Sequence, residues 1–302
     1  MILVEQHIIK RSHKFYDECN KLTFASKNLY NQALYNVRQH YFEHKKYLSY
    51  PKNYHVTKEQ EAYKGLPTKI SCQTIKMVDQ NFKSFFQLLK NKNIKNKLPK
   101  YLDKESGRFM VKYPKQALGL RTFKKDGIIK LSQTNIEVKT NIKIWDQIKE
   151  VRIIPKGIYF TIEVVYDKPL FDYKPINNKI ASIDLGLNNL ATVAFNCKQD
   201  EPFIINGKPV KSINQFYNKK LATFKSELII CNKQKSSRKT KELTFKRNNK
   251  IKDYLHKASN NLVNQLVSNG VQTIIIGKNI NMKQDINIGK RNNQNFVQSP
   301  IF

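Results

Sequence analysis

Apolar positions recur every three or four residues through the first third of the chain. Phe15, Cys19, Leu22, Ala25, Leu29, Ala33 and Val37 form one stripe, which predicts a long helix with Ser12 as its N-cap. A short strand carrying Ile2-Leu3-Val4 and Ile8-Ile9 precedes it. Tyr50-Pro51 and Leu66-Pro67 break the pattern, and a second helix runs from 68 or 71 to 90 with Ile75, Val78, Phe82, Phe85 and Leu89 inward. A basic loop spans 90–104. From 108 to 166 the period becomes two, and strands are predicted at 108–113, 127–131, 135–138, 150–154 and 157–166. Pro155-Lys156-Gly157 joins the last two as a hairpin. Residues 167–178, with Pro169 and Pro175, read as a linker.

Beyond the linker, a short apolar strand carries one acid, Asp184, then turns through Gly186 and Asn188-Asn189 into a second strand. An acid in mid-strand is costly if buried and unpaired, so its presence calls for a use. Asn206-Gly207-Lys208 marks another turn. Basic helices follow at 213–235 and 239–268, the second with a stripe of Ile251, Leu255, Ala258, Leu262 and Leu266. Gly270 ends it, and Thr273-Ile-Ile-Ile-Gly277 reads as a buried strand. Strand, helical crossover and second strand predict a parallel unit. The remaining residues are polar, Asn-rich and without period.

Charge adds a partner to this picture. The 302 residues hold 55 Lys plus Arg against 23 Asp plus Glu, a formal net charge of +32. Such an excess opposes compaction and favours a polyanion, bound with steep salt dependence. An AT-rich genome would explain the Asn content, but not the excess of Lys over Glu. The four cysteines, Cys19, Cys72, Cys197 and Cys231, stand far apart with no Cys-x-x-Cys pair. That spacing excludes a zinc ribbon among these residues and fits reduced thiols, as in the cytoplasm. No apolar run reaches membrane-spanning length. Lys83, Lys95, Lys97, Lys100, Lys219, Lys220, Arg238, Lys239, Arg247, Lys250, Lys257, Lys290 and Arg291 are the candidate phosphate contacts. Tyr30, Tyr35, Tyr41, Phe42, Tyr47 and Tyr50 either stack on bases or pack a core. For Asp253 and Glu242 on the basic helices, i,i+4 pairing with cations is the favoured role.

Asp184 alone is a weak signal of catalysis; its context is specific. Asp184-Leu-Gly-x-x-x-x-Ala, then Asn206-Gly-Lys, two basic helices and an Ile-rich strand resemble the RuvC-type domain of TnpB proteins. These are insertion-sequence-encoded, RNA-guided nucleases related to compact type V CRISPR effectors. Residues 247–259 (Arg-Asn-Asn-Lys-Ile-Lys-Asp-Tyr-Leu-His-Lys-Ala-Ser) resemble the family's helix before its second active-site motif. Lys83-Ser-Phe-Phe-Gln-Leu-Leu-Lys90 and Leu98-Pro-Lys-Tyr101 resemble its N-terminal half.

The resemblance implies a mixed α/β chain in three parts. Residues 1–10 and 108–170 would form a wedge-type β-barrel, and 11–107 a helical recognition domain. Residues 171–302 would form an incomplete RuvC/RNase H-like domain without the zinc ribbon and third acidic motif. It also implies a guide RNA and a double-stranded DNA target, read by base pairing after a short flanking motif. Three acids holding two Mg²⁺ would hydrolyse the phosphodiester. The first acid carries over to Asp184; Gly277 occupies the usual place of the second, a glutamate, beside Lys278. Asp285, in Lys283-Gln-Asp-Ile-Asn-Ile-Gly289, is the nearest alternative. Efficient cleavage is therefore not expected, and no zinc is expected. Three readings stay open: a cleavage-dead guided binder located with the cytoplasmic nucleoid, an endonuclease completed by another residue or chain, and a non-guided basic RNA-binding protein. A strand-transferring transposase lacks its His-hydrophobe-His and tyrosine nucleophile. Oligomeric state stays open.

Overall fold

The computed structural model describes every residue except 91–96, 170–176, 233–235, 278–286, 288, 290–291, 295–297 and 299–302. The chain divides into two compact units, Met1–Leu170 and Phe171–Phe302.

In the first unit β1 (Ile2–Ile9) leads into α1 (Tyr16–His44). Short helices α2 (Tyr50–Thr57) and α3 (Glu61–Lys64) precede α4 (Thr68–Leu89). Then come β2 (Val111–Pro114), α5 (Leu120–Asp126), β3 (Ile128–Lys130), β4 (Glu137–Lys139), β5 (Ile148–Pro155) and β6 (Phe160–Asp167). The strands make an antiparallel four-stranded sheet in the order β1-β6-β5-β2 and a separate ribbon, β3-β4. The chain start thus pairs along the whole of β6, Ile2 opposite Asp167 and Ile9 opposite Phe160. One apolar core, with Cys19, Leu29, Leu34, Ile75, Phe82, Tyr113 and Ile153 fully buried, joins helices and sheet.

Local chemistry corrects several boundaries. Ser12 does not cap α1: the chain makes a turn there, and Phe15 holds the cap position with no side-chain bond. His13 supplies the acceptors instead, its carbonyl taking the Tyr16 N–H at 2.9 Å and its ring Nδ1 the Phe15 N–H at 3.2 Å. Pro51 and Pro67 do not merely interrupt; the first lies in the opening turn of α2 and the second is the N-cap residue of α4. Proline is tolerated there because those N–H groups have no intrahelical acceptor. Most of the helical aromatics are core: Tyr30 is buried, and Tyr47 packs edge-on to Phe86. Tyr35 and Phe42 remain exposed.

In the second unit β7 (Ile180–Leu185), β8 (Asn189–Phe195) and β9 (Phe203–Asn206) form an antiparallel meander. Helices α6 (Lys208–Asn232) and α7 (Arg238–Ser268) follow, then β10 (Thr273–Ile276). β10 returns parallel to β7, giving the order β10-β7-β8-β9. Its core unites Ala181, Ile183, Val193 and Ile205 with Ala258 and Leu266 of α7. The Ile-rich strand is not buried, as its apolar run suggests. β10 is the sheet's edge among the described strands, and Ile274, Ile275 and Ile276 are 45%, 55% and 53% exposed.

Candidate functional site

Asp184 sits in β7, opposite Thr192 of β8. Strand alternation sends Ala181 and Ile183 into the core and leaves Ser182 and Asp184 exposed. The carboxylate therefore incurs no burial cost, which corrects the premise drawn from its mid-strand position. No hydrogen bond or ion pair from a described residue reaches it, so it is free to meet a cation.

Two glycines shape the end of the sheet that carries it. A Cβ on Gly186 would lie 2.8 Å from the Asn189 carbonyl oxygen, and one on Gly207 2.3 Å from that of Leu187. Such contacts are below van der Waals separation, so only glycine lets the two turns close together. The Gly207 N–H donates to the Asn188 oxygen at 2.7 Å, and Lys211 Nζ to Asn188 Oδ1 at 3.1 Å. Tyr254 of α7 donates its hydroxyl to the Asn206 carbonyl. The Asp184 hairpin, the Asn206-Gly207-Lys208 turn and α7 are thus fastened into one rim.

Gly277 follows Ile276, the register partner of Ile183, and its N–H donates to the Ile183 oxygen at 3.4 Å. It therefore comes level with Asp184 on the neighbouring strand. A Cβ there would meet no described atom within 4 Å, so the position is open but supplies no ligand. Among the described residues no group of three or more His, Cys, Asp or Glu side chains could hold a metal ion. The Mg²⁺ pair implied by the resemblance does not find its ligand set there. Asp285 lies outside the described residues, as do Lys95, Lys290 and Arg291.

The basic face is built on α6 and α7. Ser237 caps α7 in a reciprocal box, its Oγ accepting the Thr240 N–H at 3.3 Å while Thr240 Oγ1 accepts the Ser237 N–H at 2.9 Å. Ile251, Ala258 and Leu266 face inward, leaving Lys219, Lys220, Lys239, Lys250 and Lys257 exposed. Arg238 pairs with Glu242 at 2.7 Å and Lys257 with Asp253 at 2.8 Å, both i,i+4 contacts of small energetic worth. Arg247 differs from the rest. Its guanidinium donates to Asn214 Oδ1 at 2.6 and 2.8 Å and to the Gln298 carbonyl at 2.9 Å, with Tyr217 beneath. Burial lowers its pKa from the usual arginine value, with Tyr217 opposing. Its role in the described fold is to join α7 to α6.

In the first unit, Lys97 and Lys100 are exposed on a segment pinned along α1, where Asn31 bonds both N–H and C=O of Leu102 at 2.9 and 2.8 Å. Lys83 pairs with Asp79 at 2.8 Å. Burial raises the Asp79 pKa, but the hydrogen bonds from Lys83 and Tyr47 outweigh it and hold the carboxyl below its usual value. Lys83 is thus held in an i,i+4 pair on α4, while its side chain stays largely exposed.

The segment holding the Asp184 hairpin, both basic helices and β10 falls within one family match. Residues 160–283 match the OrfB_IS605 family, described as "Probable transposase". The match is consistent with the TnpB family. Comparison with curated proteins returns no match. Among solved structures, the chain is similar to one titled "Cryo-EM structure of the Cas12f1-sgRNA-target DNA complex", at 15% identity and TM-score 0.32, over 93% of this chain and 75% of that one. It is also similar to "Cryo-EM structure of CRISPR-Cas12f Ternary Complex", at 15% identity and TM-score 0.37, over 89% of this chain and 64% of that one. No helix among the described residues is long and apolar enough to cross a membrane.

Proposed function

We propose that this chain is an RNA-guided nuclease-related protein of the TnpB type, which binds a guide RNA and a double-stranded DNA target and cuts DNA weakly or not at all. The observation that carries the reading is the OrfB_IS605 match over residues 160–283, because it spans the Asp184 hairpin, α6, α7 and β10 together. The net charge of +32 and the exposed lysines of α6 and α7 support contacts to nucleic-acid backbones. On this reading residues 1–10 and 108–170 serve as the wedge-type part, 11–107 as the recognition part and 171–302 as the RuvC-like part, with the protein located on the nucleoid.

Weak cleavage is supported by Gly277, which stands level with Asp184 and offers no carboxylate. Metal-assisted phosphodiester hydrolysis requires both attacking and leaving oxygens to be held, which one acid does not achieve. The test combines the chain, its bound RNA and a matched DNA duplex with Mg²⁺, alongside Asp184→Ala and Gly277→Glu. RNA-directed DNA binding with little cutting is expected, and any cutting that Gly277→Glu restores is expected to depend on Asp184. Efficient cutting by the unaltered chain, lost in Asp184→Ala, would overturn the weak-cleavage part. DNA binding indifferent to the RNA would favour the non-guided RNA-binding reading.

A further inference from the structure

The chain's one tryptophan, Trp145, does not lie in the deep core. It is half-buried and lines an open cavity of about 640 Å³ in the first unit, together with Phe123, Ile142, Lys124, Lys139 and Lys143. That volume falls within the range of small-molecule sites. Phe123 supports the indole, ring centroids 5.1 Å apart and tilted by 54°. Lys115 reaches over the ring at 5.7 Å while bound to Asp146 Oδ1 at 2.8 Å.

The walls are fixed by the fold rather than by a ligand. Glu5, on β1, accepts the Thr140 hydroxyl at 3.0 Å and the Asn141 N–H at 3.1 Å. The Thr140 N–H donates to the Gly127 carbonyl at 3.0 Å, and Thr140 Oγ1 accepts the Ile142 N–H at 3.1 Å. Thr140 and Asn141 thus fasten one wall of the cavity both to the end of α5 and to the main sheet. Prior fixing of a site lowers the ordering cost of binding.

Charge selects the ligand. Lys124, Lys139 and Lys143 are exposed and make no ion pair with a described residue, although the Asp146 carboxylate attracts Lys124 from farther off; Asp126 is the single acid among the cavity's lining residues. An aromatic face flanked by unpaired cations suits a nucleobase with its phosphate, the combination by which single strands are held. A base pair inside a duplex has both faces covered by its neighbours and cannot stack on the ring. We infer that this cavity binds one unpaired nucleotide of a single-stranded nucleic acid, the base stacking on Trp145 and the adjoining phosphates meeting Lys124, Lys139 and Lys143. This goes beyond the guided-binder reading and does not rest on it.

Because Trp145 is the one tryptophan, its emission reports this site alone. The full chain would be titrated with a 5′-labelled single-stranded oligoribonucleotide, the matching oligodeoxyribonucleotide and a blunt duplex. Label anisotropy reads binding, and indole fluorescence reads the site. Single strands are expected to quench Trp145 as they bind, more than the duplex does, and quenching by one sugar type but not the other names RNA or DNA as the source. Trp145→Ala is expected to weaken single-strand binding about tenfold, with Trp145→Phe retaining most of it. Should Trp145→Ala misfold, Lys139→Ala with Lys143→Ala keeps the fluorophore and is expected to lower both affinity and quenching. Binding without any change in Trp145 emission would overturn the inference. So would equal quenching by the duplex, or unaltered affinity in the folded variants.

Discussion

Asp184 and Asp79 are both carboxylates on regular elements, and their surroundings assign them opposite roles. Asp79 is nearly buried and held by Tyr47 and Lys83, so it is structural. Its folded-state pKa lies below the unfolded value, so its contribution is complete above the ordinary carboxylate range and disappears as pH falls through the lowered folded value. Asp79→Asn is expected to cost about 1–3 kcal/mol near neutrality and to flatten the acid limb of a stability–pH curve measured by urea unfolding. Asp184 is exposed and unpaired among the described residues, so Asp184→Ala should leave stability within about 0.5 kcal/mol. A large loss of stability on that change would mean that the acid serves the fold. Sequence spacing placed Asp184 on its strand because a hairpin is a local feature. It did not give the acid's exposure, which depends on the face that α7 covers. The i,i+4 pairs of Glu242 and Asp253 were legible for the same local reason, whereas the Arg247–Asn214 contact crosses between helices and left no mark in the spacing.

Long helices were readable and short ones were not. The stripes of α1, α4 and α7 run over several turns, enough for a 3.6-residue period to stand out. Four-, seven- and eight-residue helices such as α3, α5 and α2 complete too few turns to show one. β10 reads as buried because three consecutive isoleucines dominate its pattern, yet neighbour count rather than composition decides burial at a sheet edge. Placing one lysine there, Ile275→Lys, is expected to reduce concentration-dependent association in light scattering without lowering the melting midpoint. At the rim, Gly207→Ala must displace the Leu187 carbonyl, and a loss of about 1–3 kcal/mol is expected on denaturant unfolding. Ser237→Ala removes a cap and should cost about 1 kcal/mol.

Across the whole molecule, the charge excess supports the proposed polyanion partner. With 55 cationic and 23 anionic side chains, nucleic-acid affinity should fall linearly in a plot of log K against log salt. The slope measures the phosphates neutralised. Removing Lys219, Lys220, Lys239 and Lys250 together is expected to make it shallower by about four. The central claim is that this charge serves a guided protein rather than a general RNA coat. Sequencing the RNA that copurifies with the chain, from cells carrying its native flanking DNA, tests that most directly. One discrete RNA species, retained through a high-salt wash, is the result expected. A mixture mirroring total cellular RNA would contradict it.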